Sequence, residues 1–214
     1  MKKIISTLLF ATLVSFTFSQ PTIKLEADGM KLRQFYLNQN VEHLWLAGQH
    51  INWETGEADM PDATKNIKTH CSAFVASVCN QKGIYILRPP EHKLGLLANA
   101  QYDWFFSDDA VKKGWRQIKD SIYEKAQKLA NNGFVVAAVY KNPNPKIPGH
   151  IALVMPVEKQ VQALSEEGPT LIQAAQTNHN FIPLKNGFKH HILDWSSATK
   201  DILFFYNDDS KNYR

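Results

Sequence analysis

The chain has 214 residues, with 24 basic and 20 acidic side chains, a formal net charge of +4 and two cysteines. So small a charge gives no footing for a nucleic-acid partner, and the length suits one domain with a sizeable core and does not require two. Past the N-terminus no apolar stretch approaches the roughly 18 residues needed to cross a bilayer, which argues against a stable membrane anchor.

Residues 1–19 read as a cleaved signal peptide. Lys2 and Lys3 precede an apolar run from Ile4 to Phe18 that is too short and too early for a spanning anchor. Thr17 and Ser19 are small residues at signal-peptidase spacing, so cleavage is expected between Ser19 and Gln20, with a soluble product in the periplasm or outside the cell. No cysteine stands at that junction, which speaks against a lipid-anchored protein. Removing residues 1–19 takes two lysines and no acid, so the single domain expected over 20–214 carries a balance of +2. The competing reading is an N-terminal anchor that is retained.

From about Asp28 to Gln49 the apolar positions Leu32, Phe35, Tyr36, Leu44 and Trp45 predict one or two helices, with Gly48 near their end. A polar, turn-rich stretch from Asn52 to Asn66 leads into the most informative segment, Thr69 to Lys82. There Cys71, Phe74, Val75, Val78 and Cys79 follow the spacing of one helical stripe, Thr69 is a plausible N-cap and Gly83 a stop. On such a helix a rise of about 1.5 Å per residue puts the two cysteine α-carbons roughly 12 Å apart, beyond the reach of about 7 Å for a disulfide. Both thiols therefore stay free. Cys71, in the first turn, would feel unpaired N–H groups and the positive end of the helix dipole, which favour thiolate; the alternative is that it packs as a small hydrophobe. Cys79, two turns deeper, reads as core.

After Gly83, Ile84–Leu87 reads as a short extended piece closed by Pro89 and Pro90. Asp108 or Asp109 is expected to cap a long amphipathic helix that buries Val111, Trp115, Ile118, Ile122, Ala126 and Leu129 and ends at Gly133. From Phe134 the texture changes. Short runs rich in β-branched and aromatic residues, 134–140, 151–155, 170–175 and 202–206, are separated by Pro, Asn and Gly and predict strands. Helices followed by strands indicate an α+β domain, an antiparallel sheet with helices on one side. The segment 141–149 is a long connection that can overhang a cleft.

The chemistry-bearing residues fall at two places. Gly149-His150-Ile151-Ala152-Leu153-Val154 puts a histidine at the mouth of a strand some 80 residues after Cys71. An imidazole brought against the thiol would complete a cysteine nucleophile. This order, with Cys71-Ser72-Ala73-Phe74-Val75 opening a helix and Gly149-His150 opening a strand, resembles the papain-like superfamily, closest to the NlpC-type and CHAP-type peptidoglycan hydrolases. The likeness spans about 69–175. It departs at His70 and Ala73, where the family usually has aspartate before the cysteine and glycine two places after it.

The resemblance implies a papain-like (NlpC-type) fold in which N-terminal helices, the cysteine helix among them, pack on an antiparallel sheet. It implies that Cys71 attacks a peptide or amide carbonyl and that His150 shuttles the proton, with no metal and no other cofactor. A third polar residue should orient the imidazole. Gln173 ranks first because it lies within the probable strand pairing, then Gln176 and Asn178, for which turn hydrogen bonding is the simpler role. His70 adjoins the nucleophile but should point about 100° away, in a surface or supporting role. The implied substrate is the stem peptide of bacterial peptidoglycan, and a cognate inhibitor or immunity protein would follow if the enzyme acts on neighbouring cells. Two other classes compete: a catalytically inert papain-like binding or inhibitory module, and a metal-dependent amidase using His179, His190 or His191, whose spacing is a weak metal signal. Trp53, Tyr102, Trp104 and Phe105 suit a substrate groove or the core equally well.

Overall fold

The structure, a computed structural model, describes residues 21–60, 63, 67–192 and 194–211. The expected signal peptide and cleavage site lie outside these residues. The chain begins with β1 (Thr22–Ile23), α1 (Ala27–Leu37) and α2 (Cys71–Gln81), followed by α3 (Leu97–Trp104), α4 (Asp108–Lys112), β2 (Trp115–Ile118) and α5 (Ile122–Asn131). It continues with β3 (Val136–Tyr140), β4 (His150–Val154), β5 (Lys159–Gln160), α6 (Val161–Glu167), β6 (Thr170–Gln173) and β7 (His179–Pro183). The last elements are α7 (Leu184–Gly187), α8 (Ala198–Asp201) and β8 (Ile202–Asn207).

Six strands form one antiparallel sheet in the order β2-β8-β3-β4-β6-β7, and β1 pairs with β5 in a separate ribbon. The domain is therefore α+β, as its sequence texture predicts. The four strands expected from composition are β3, β4, β6 and β8. The central strands β3 and β4 read VAAVY and HIALV, with no polar alternation to leave a face in water, so both faces must be covered. One face, through Ala137, Val139, Ile151, Leu153 and Ile172, packs on α1, α2 and α3. The other, through Val136, Ala138, Ala152, Val154, Leu171 and Phe204, packs on α5, α7 and Phe188. The expectation of helices on one side only is corrected by this second layer.

α2 runs through the middle of the first layer. Every residue from Cys71 to Cys79 is buried, including Ser72 and Ser77, so the stripe read from the sequence understates it. A helix apolar all round belongs inside. Its polar atoms are tied locally: Ser77 Oγ donates to the carbonyl of Glu54, and Gln81 Nε2 donates to Ser77 Oγ at 3.1 Å. The residue before the first turn is His70 and not Thr69. Both cysteines are free.

Of the one or two helices expected over 28–49 one forms, α1, which ends at Leu37 and not near Gly48; turns follow it, and Trp45 takes a left-handed φ of 53° so that its ring can meet Phe74 edge-on at 5.2 Å. Gly56, itself at φ +75°, lies so close that a Cβ there would stand 2.3 Å from the Trp45 ring.

The long helix expected over 108–133 is instead α4, β2 and α5. Gly114, at φ +84°, breaks it, with a Cβ-sized space closed by the carboxylates of Asp208 and Asp209 at 2.6 and 2.7 Å. Ser121, at φ 44°, marks the second break. Between the breaks Trp115–Ile118 pairs with β8, from Trp115 opposite Asn207 to Ile118 opposite Phe204. Trp115 joins the first core and Ile118 the second, so each side chain finds its burial on a strand. Tertiary pairing overrides the helical spacing, and Val111 is left 51% exposed.

Candidate active site

The thiol of Cys71 sits in the first turn of α2 and is 3% exposed. Thr69 Oγ1 donates to Sγ at 3.8 Å. Burial raises the thiol above its ordinary pKa; the backbone N–H of Ile151 in β4, the Thr69 hydroxyl and the N–H groups of Ser72 and Cys71 oppose this without cancelling it. Cys79, on the same helix without such donors, is driven up to about 12 by burial, with Arg88 opposing. The difference is position: only the first turn of a helix has N–H groups to spare.

His150 opens β4 opposite Tyr140. Alternation along the strand sends Ile151 and Leu153 toward α2, and His150 with Ala152 and Val154 to the other face. Its ring meets Phe188 edge-on at 4.7 Å and lies parallel to His191, 5.3 Å away at 12°. Nε2 pairs with Gln173 Oε1 at 2.9 Å. Gln173, on the neighbouring strand β6, is 3% exposed. A carboxamide oxygen can only accept, so Nε2 carries the proton and Nδ1 is the nitrogen left with a lone pair. Burial lowers the pKa of His150 to about 4, against the raising effect of Gln173. The resting group is a neutral imidazole in a defined tautomer.

Sulfur and imidazole thus approach the same short piece of β4, residues 150–151, from two directions. The sulfur comes from the α2 side to the N–H of Ile151; the imidazole leaves the adjacent residue on the opposite face. Among the described residues no hydrogen bond joins them. Both groups lie under cover, Cys71 at 3% and His150 at 2% exposure, and the strand backbone lies between the two faces they occupy.

The remaining candidates separate clearly. Gln176 is exposed on the bend after β6, away from any recorded bond to His150. Asn178 is structural: its Oδ1 accepts from Ala175 N–H at 2.9 Å, and its Nδ2 donates to the carbonyls of Val41 and Leu44 at 2.7 and 2.8 Å. His70 is buried, not on the surface, with Nε2 on the carbonyl of Gln49 at 2.8 Å. Burial lowers its pKa, and its bond to Gln49 opposes this. Of the four candidate groove aromatics Phe105 is core, stacked on Phe205 at 4.4 Å; Trp53, Tyr102 and Trp104 are partly buried beside it.

Two neighbours of the imidazole were not read from the sequence in that role, His191 and Phe188. His191 enters the sequence reading only as a possible metal ligand, because its approach to His150 depends on the turn after α7. Its pKa falls to about 4, mainly through burial, with the charges of His150 and His190 adding to it. A search of protein-family models finds none that matches this chain, and no curated protein matches it.

Proposed function

We propose that the protein is an exported cysteine hydrolase of papain-like, NlpC-type fold that cleaves peptide or amide bonds of bacterial peptidoglycan. The observation that carries this reading is the His150–Gln173 hydrogen bond, which leaves Nδ1 as a base beside the residue whose N–H already holds the Cys71 sulfur. A nucleophile, a base and an orienting amide on three separate elements are what thiol-based acyl transfer requires. The wall as substrate follows from the leader-like residues 1–19 and the resemblance of the two motifs.

In the proposed reaction a rearrangement at the mouth of β4 brings Nδ1 to the thiol, and Nδ1 takes its proton. Sγ attacks the carbonyl carbon, and the N–H groups at the start of α2 stabilise the oxyanion. The imidazolium returns its proton to the departing nitrogen as the C–N bond breaks. Water, deprotonated by the same nitrogen, then cleaves the thioester and restores the thiol. Catalytic hydrogen bonds in unliganded sites are often long and tighten only with substrate bound.

A second reading, an inert module that keeps the fold and has lost turnover, is favoured by one observation. Both groups are buried and neutral at rest, with the thiol above its ordinary pKa. Alkylation by iodoacetamide separates the two: an activated Cys71 reacts far faster than an ordinary thiol, and an inert one does not. The direct test is digestion of purified peptidoglycan, with fragments identified by mass, by the unaltered chain and by Cys71→Ala and His150→Ala. The hydrolase reading requires release by the first and a loss of at least about 100-fold in each variant; full activity surviving both substitutions would reject it.

A further inference from the structure

The connection 141–149 is closed tightly at its base. Tyr140 and His150 face each other across β3 and β4, and a Cβ added at Gly149 would stand 2.1 Å from the carbonyl oxygen of Tyr140 and 2.5 Å from Asn99 Oδ1. Asn99, on α3, is 7% exposed and spans this base with both ends of its carboxamide. Its Oδ1 accepts from Asn142 N–H at 3.1 Å, where the connection leaves β3. Its Nδ2 donates to the carbonyl of Ile147 at 2.9 Å, where the chain returns to β4. No other side chain type of that length supplies one donor and one acceptor in a single plane. Lys141 also ties the connection to α3, through Asp103 at 2.6 and 2.7 Å, but on the exposed side, where such a pair contributes little.

We propose that Asn99 is a positioning residue for His150: by bracing both ends of the connection it fixes Gly149, and through Gly149 the point at which the imidazole leaves β4. The proposal rests on the hydrolase reading for its catalytic meaning and, for its structural part, on the two hydrogen bonds of the Asn99 carboxamide and the close packing of Gly149. The brace reaches His150 from the α3 side, whereas Gln173 holds the ring from the β6 side. The backbone and the ring are therefore fixed by two different amides.

The test uses the whole chain and two variants, Asn99→Ala and Lys141→Ala. It has two readouts: nitrogen-15 resonances of the His150 imidazole, and kcat and KM on peptidoglycan fragments. Asn99→Ala is expected to shift the Nε2 resonance that reports the Gln173 bond and to lower kcat roughly 10- to 100-fold at nearly unchanged KM. Lys141→Ala is expected to move neither. Imidazole resonances that stay as in the unaltered chain would overturn the proposal, and so would a Lys141→Ala variant that reproduces the shift. If Asn99→Ala does not fold, Asn99→Ser is judged by the same criteria. Peptidoglycan digestion by Cys71→Ala would remove the hydrolase reading, and the resonances would still decide whether Asn99 governs His150.

Discussion

The two halves of the candidate site are built on opposite plans. On the α2 side, the Thr69 hydroxyl donates to Sγ, and the backbone N–H groups of Ile151, Ser72 and Cys71 favour its charged form. On the other face, the imidazole pairs with Gln173 and lies against the rings of Phe188 and His191. Donors stabilise a negative charge, and an aromatic enclosure opposes a positive one. In both halves burial outweighs the hydrogen bonds, so the thiol stays above its ordinary pKa and the imidazole below its own. The resting molecule disfavours both charges, so the proposed reaction needs ionisation to coincide with the joining of the two groups.

Removing the donor-rich half should have the largest effect. Cys71→Ala is expected to lower fragment release from peptidoglycan by at least about 1,000-fold, because the covalent step disappears with the sulfur. Cys79→Ala, on the same helix, should leave the rate essentially unchanged and show its cost in thermal unfolding. Equal rates for the two variants would dissolve the distinction between the first turn and the helix interior. On the imidazole half, His150→Ala is expected to reduce kcat by roughly 100- to 10,000-fold, the usual range for a general base and acid. A rate within threefold of the unaltered chain would place the base elsewhere.

The same two halves differ in how far they could be read in advance. The thiol half is local: the 3,4 spacing of Phe74, Val75, Val78 and Cys79, closed by Gly83, specifies a helix and puts Cys71 in its first turn. The strand carrying His150 is also legible, from its apolar run, and the place of Gln173 within the strand pairing is what sets it within hydrogen-bond reach of His150. What could not be read is set by contacts distant in sequence. The spacing Val111, Trp115, Ile118, Ile122 satisfies a helix, yet Gly114 packs against Asp208 and Asp209 and Trp115–Ile118 finds its partner in β8, some 90 residues later. The stack of His191 on His150 arises from the path of the chain after α7, and no local pattern encodes it. Nor does the second helical layer announce itself, beyond the lack of polar positions in β3 and β4.

Acid should expose the cost of the imidazole enclosure. His150 takes its proton at about pH 4 in the folded protein and near its ordinary 6.5 when unfolded. The unfolded chain therefore binds protons first as pH falls. The stability tied to neutral His150 is complete above about pH 6.5 and is lost progressively down to about pH 4, by roughly 2–3 kcal/mol between pH 7 and 4.5. His191 acts in the same direction with a smaller share, since it is partly exposed. Urea midpoints at the two pH values measure the loss, and His150→Phe, which keeps a ring in the enclosure, should flatten it. A loss as large in His150→Phe as in the unaltered chain would assign it to other groups.

The smallest expected effect concerns the hydrogen bond between the imidazole and Gln173. Gln173 Oε1 accepts from Nε2–H, a bond that favours the protonated ring, so Gln173→Ala should lower the pKa of His150 further. A weaker base takes less of the thiol proton, and the ring also loses the partner that selects its tautomer. The rate of Cys71 alkylation is expected to drop by about tenfold at neutral pH, with its acid limb moved to lower pH. Gln173→Glu should act in the opposite sense on the limb, because a carboxylate beside Nε2 stabilises imidazolium. The two substitutions remove the same amide and differ only in charge. Opposite displacements of the acid limb would therefore show that His150 governs the sulfur across the strand, and coincident profiles would show that the two halves of the site do not communicate.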